Sequence, residues 1–171
     1  MAKTGSINGI SVRNLVKFKG HEEETCYQGD VYYKGKLLGF WSQDAWSGPD
    51  RYSFDTKILD KAVEDYRYSK RVSRDYRAIT DLDILLWDLM IMMEVREDFK
   101  RDRKLHNSIT APKRILVETQ EPEGNCYRFE EIPEHYTKDY FVAKYNDPAN
   151  QVEVIGVYNT LEDFEITAKP E

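Results

Sequence analysis

The stretch LDILLWDLMIMMEV, residues 82–95, is apolar almost all the way round a helical wheel. A helix of that kind has no face to give to water, so it is buried on several sides, and the rest of the chain has to pack around it. Thr80 and Asp83 fit a capping box for its start, and the helical pattern runs over 82–104. Its far end, REDFKRDRK, alternates opposite charges and is solvated; Asn107, Ser108 and Pro112 break it.

On either side of this helix the hydrophobic period falls to two. A first strand is expected over 7–18. Val31 and Tyr33, then Leu38 and Phe40, alternate with polar or small neighbours around Lys34-Gly35-Lys36, which predicts a hairpin with strands over 25–34 and 37–43. Gly48-Pro49 closes the loop that follows, over 44–51. Asp55 is placed to cap a first helix carrying Ile58, Leu59, Ala62, Val63 and Tyr66 on one face. Beyond residue 113 the strand candidates are 114–118, 125–129, 140–144 and 152–158. Strands, two helices, strands is the α+β order: one domain over 1–171, with a β-meander over 7–54, helices over 55–105 and strands over 113–166. The expectation is a mostly antiparallel sheet packed against the two helices.

With 171 residues, 40% of them hydrophobic, the chain can bury a core without disulfides or metals. Cys26 and Cys126 match no C-x-x-C spacing and read as reduced structural thiols. The N-terminus lacks the apolar core of a signal peptide, and the longest apolar run, 84–93, is interrupted by Asp88 and too short for a bilayer, so a cytosolic protein without membrane contact is expected. The net charge of −6 is uneven: residues 1–56 are balanced, 57–114 carry +3 and 115–171 carry −9. A basic middle beside an acidic end fits either a nucleic-acid face with a solubilising back, or an acidic surface that competes with nucleic acid for a basic partner.

Phosphate-cradling glycine motifs and H-x-x-x-H or C-x-x-C metal spacings are absent from the sequence, so no cofactor or metal site is assigned. His21, Glu22, Glu23 and Glu24 stand in one run. His21 is the best candidate for a general base, with Glu22, Glu24 and Asp44 as acidic partners or as carboxylates for a divalent metal; the alternative is a solvated acidic loop. Trp41 and Trp46 flank Asp44, each suited either to stacking on a base or to plugging the core. Arg67, Lys70, Arg71, Arg74 and Arg77 recur at steps of three and four. If the first helix continues through them, five cations line one stripe and repel one another unless a polyanion neutralises them; the alternative is a solvated face.

The order Gly20-His21-Glu22, Gly35-Lys36, Gly39-Phe40, Ser42, Asp44, Trp46 and Gly48-Pro49 resembles a family of small proteins carried by phages and conjugative elements of Gram-positive bacteria. Glu23 and Ser47 stand where that pattern has glycine. Some proteins of this mobile-element neighbourhood are anti-CRISPR inhibitors of type II systems, and one class truncates the guide RNA. The resemblance covers the first third of the chain. It implies an inhibitor acting in the bacterial cytosol on a type II CRISPR nuclease or its guide RNA, by binding or by cleavage; the residues themselves point to His21 for acid/base chemistry and to Trp46 and the basic stripe for holding RNA. The rival expectations are a non-catalytic protein-binding module with an acidic surface, and a phage accessory or structural protein.

Overall fold

The computed structural model describes residues 5–105, 114–122, 124–132 and 138–170. Asn8 and Gly9 both adopt positive φ, 51° and 78°, and this turn splits the expected first strand into β1 (Ser6–Ile7) and β2 (Ile10–Lys19). β3 (Thr25–Tyr33) and β4 (Lys36–Ser42) form the anticipated hairpin, Tyr33 opposite Lys36. Between them Lys34 and Gly35 take φ of 49° and 81°. Two successive positive φ values make the turn whose twist matches that of the flanking strands. β5 (Arg51–Tyr52) pairs with the end of β4.

Asp55 does cap the first helical segment: its Oδ1 accepts from Lys57 N–H at 3.1 Å, and a 3-10 turn at Thr56–Leu59 leads into α1 (Asp60–Arg67). The helix does not continue into the expected stripe. Ser69 donates its hydroxyl to Tyr66 O at 2.7 Å, and its N–H to the same carbonyl at 3.1 Å, a local pairing that replaces the helical ladder. The chain then turns through a 3-10 segment at Arg74–Tyr76.

The long helix α2 (Leu82–Leu105) forms as predicted, with Leu85, Leu86, Leu89, Met90, Met92 and Phe99 buried and Met93 packed at the edge of the core. Its cap differs. Asp81 Oδ1 accepts from Ile84 N–H at 3.1 Å, whereas Thr80 donates to Tyr76 O and Asp83 accepts the Tyr52 hydroxyl. Thr80 is drawn back to the preceding turn, so its neighbour takes the capping place.

β6 (Arg114–Glu121), β7 (Gly124–Glu131) and β8 (Glu153–Tyr158) follow, with β9 (Glu165–Ile166) at the end. The expected strand over 140–144 is instead α3 (Lys138–Tyr145). Its Phe141 is fully buried with Ile115 and Val117, so the segment serves as a cover for one face of a sheet. The four-residue apolar run 140–143 does not by its period distinguish strand from helix. The strands make two sheets: a six-stranded one, β5-β4-β3-β2-β1-β9, antiparallel except for β1 beside β9, and a three-stranded antiparallel one, β7-β6-β8. The protein is α+β. One core cluster takes Val12, Val31 and Trp41 from the large sheet, Leu86 and Met90 from α2, and Leu116 and Tyr158 from the small sheet. No described helix is long and apolar enough to cross a membrane.

Candidate functional site

The residues that carry the family resemblance come from two separated stretches, and the fold brings their loops together. His21 N–H donates to Ala45 O at 2.7 Å, which ties the loop between β2 and β3 to the loop after β4. The His21 imidazole stacks on the Trp46 indole, ring centroids 4.0 Å apart and planes 29° from parallel. Trp46 is 72% exposed, whereas Trp41 is fully buried and donates its indole N–H to Asp50 at 2.7 Å. The two tryptophans thus split between the two readings: Trp41 plugs the core and Trp46 stands in solvent.

The carboxylates of this region hold the loops. Asp44 Oδ1 accepts from Trp46 N–H at 2.7 Å and from Gly48 N–H at 3.4 Å, and Oδ2 pairs with Arg51 at 2.9 Å. The Trp46 amide, with Gly48 and Arg51, holds the Asp44 carboxyl below the ordinary carboxylate range. Glu24 folds back over Gly20, where a Cβ would lie 1.9 Å from its Oε1, and accepts from Glu22 N–H at 2.8 Å. The Glu22 N–H goes to Oε2, and Oε1 takes the Cys26 thiol at 3.9 Å. Glu22 and His21 are exposed. Two of the expected catalytic residues, Glu24 and Asp44, therefore brace the loops that carry the exposed His21–Trp46 pair. Glu23 and Ser47 have φ of 63° and 59°, the left-handed backbone for which glycine is the default.

The basic residues do not form the anticipated stripe. Arg71 points inward: its side chain is 5% exposed, Nε donates to Asp88 Oδ2 at 3.0 Å, and Nη1 and Nη2 reach Glu118 at 2.8 and 2.7 Å. Glu118 is fully buried. Two buried carboxylates on α2 and β6 demand a cation, and the break after α1 is what lets Arg71 supply it, so the expected surface contact at Arg71 is corrected to an interior ion pair. Arg67 Nε is likewise taken, donating to Thr80 O at 2.9 Å. Lys70, which pairs with Glu153, lines with Arg74 and Arg77 a cleft of about 520 Å³ between the turns after α1 and the loop before β8. Of the five cations, three thus still share one surface.

Tyrosines complete the interior network. Tyr66 donates to Asp88 at 3.1 Å, Tyr158 donates to Glu118, and Tyr127 accepts from Arg71 at 3.4 Å. Burial, followed by the nearby carboxylates, pushes all three tyrosines well above their ordinary value. Burial works against the Arg71 charge, but Asp88 and Glu118 outweigh it and raise its pKa. Sequence reasoning did not single out this network. Its one legible signal was Asp88, an acid interrupting an apolar helix. Among the described residues, no three of His, Cys, Asp and Glu converge as metal ligands. Comparison with family models, with curated proteins and with solved structures gave no match.

Proposed function

We propose that the protein is a binding module that holds the guide RNA of a type II CRISPR nuclease in the bacterial cytosol, and that it inhibits by occupancy rather than by cutting. The observation that carries this reading is the His21–Trp46 stack: a largely exposed indole, on loops braced by Asp44 and Glu24, built from the residues of the family resemblance. An exposed aromatic face held rigid is suited to stacking on an unpaired base, at a gain of about 1–3 kcal/mol per base. Lys70, Arg74 and Arg77 at their cleft are suited to phosphate oxygens. Binding is favoured over cleavage because Asp44 and Glu24 are engaged in loop hydrogen bonds and the imidazole lies against Trp46 instead of a carboxylate.

The test is an anisotropy titration of labelled guide RNA, with a denaturing gel of the same samples. Intact RNA and saturable binding are expected. Trp46→Ala should weaken binding by about tenfold or more, and Gln at positions 70, 74 and 77 should flatten the log-log salt dependence by about 0.7 per lost contact. Shortened RNA on the gel would make the protein a ribonuclease. Binding to the nuclease but not to RNA would favour the second reading, in which the −9 charge of residues 115–171 occupies a basic protein groove.

A further inference from the structure

A second site lies away from the loops just described, above the buried ionic network. A groove of about 390 Å³ opens between α2 and the β6–β7 hairpin, a size suited to a small organic ligand. Trp87, 45% exposed, with Ile84, Ile91 and Tyr76, makes its apolar side; Glu121 and Asn125 make the polar side; Asp88 and Arg71 form the floor. In the apolar half of the helix Leu85, Leu86, Leu89, Met90 and Met92 are buried, yet Trp87 and Ile91 are left uncovered in the groove.

The formal charges at the floor do not cancel. One guanidinium meets two carboxylates, and its Nε, Nη1 and Nη2 all donate to Asp88 or Glu118, so the cation is already committed. Asp88, 11% exposed at its side chain, is the carboxylate that borders the groove. Glu121 adds a second at the rim, where Arg128 and Thr119 hold its carboxyl below the ordinary range. A carboxylate-bearing groove walled by an indole and a phenol repels anions and attracts a cation through charge and through the ring faces. The oxygens of Asp88, Glu121 and Asn125 are acceptors, which suits a group with several N–H donors over a quaternary ammonium that has none.

We infer that this groove binds a small arylalkyl primary amine, its ammonium over Asp88 and Glu121 and its ring against Trp87 and Ile91. The whole protein is titrated with benzylammonium, and its nitrogen–proton correlation spectrum is followed, with benzyl alcohol and benzoate as neutral and anionic counterparts of the same size. Saturable shifts of the Trp87 indole and the Asn125 amide are expected, with a dissociation constant of roughly 1 mM or tighter for a ligand this small. The two counterparts should leave those signals in place. Trp87→Ala should weaken binding about tenfold, and Glu121→Gln by about threefold, both with the folded spectrum retained. Absence of saturation by benzylammonium, equal binding of benzoate, shifts confined to the Trp46 loop, or full affinity in Trp87→Ala would each overturn the assignment.

Discussion

Glu23 and Ser47 are where a single residue works against its own backbone. Each holds a side chain at a φ near +60° on the loops that carry His21 and Trp46. A Cβ in the left-handed region costs about 1–2 kcal/mol, and glycine recovers most of that while adding freedom to the unfolded chain. Glu23→Gly and Ser47→Gly should therefore each stabilise the protein by about 0.5 kcal/mol in chemical denaturation. The contacts made at these positions by the backbone, Glu23 N–H to Gly20 O at 3.2 Å and Lys19 to Glu23 O at 2.9 Å, survive the change. A loss of stability would mean that the side chains themselves brace the loops. The sequence alone gives no φ, so the strain at these two positions is legible only in the fold.

At the scale of elements, the buried network is the joint between parts that the hydrophobic pattern does not connect. Arg71 comes from the turn after α1, Asp88 from α2, Glu118 from β6, Tyr127 from β7, Tyr158 from β8 and Tyr66 from α1. Removing one partner of a buried ion pair leaves the other charge unpaired, at a cost of about 3–5 kcal/mol. Arg71→Met should lose that much in urea denaturation, and Arg71→Lys should recover little of it, because an ammonium does not reproduce the forked contacts to two carboxylates. Arg74→Gln, at an exposed position a few residues on, should leave stability unchanged. Equal behaviour of the two arginine positions would place Arg71 at the surface.

For the whole molecule, the buried hydroxyls set a limit on the alkaline side. Six of the twelve tyrosines have raised values, with Tyr27 pushed up to about 12 by burial and by its hydrogen bond to Glu94. In the unfolded chain a tyrosine loses its proton around pH 10.0, whereas the folded protein retains it. Stability from these groups is present in full below pH 10.0 and falls as the pH rises through the folded values, because unfolding then releases protons. A series of denaturation curves should show a midpoint that drops above that pH, with the tyrosinate absorbance of Tyr66, Tyr127 and Tyr158 appearing only on unfolding. Tyrosinate absorbance from these residues before the fold is lost would contradict the buried network.

The sequence by itself determined the elements whose cause is local. The apolar run of α2, the two-residue turn at Lys34-Gly35 and the Asp55 cap need only neighbouring residues, so period and turn chemistry revealed them, and with them the α+β class. What the tertiary structure decided are features in which the partner is distant along the chain. Phe141 made a helix of residues expected as a strand, because the outer face of the small sheet needed a cover. Arg71, read as one of five equivalent surface cations, was taken inside by Asp88 and Glu118, 17 and 47 residues away. His21 and Trp46 were each visible as candidates, but their stacking depends on the backbone bond between two loops. A side chain's type sets what it can do; a buried charge or an exposed ring acquires its role only when folding supplies, or withholds, the group across from it.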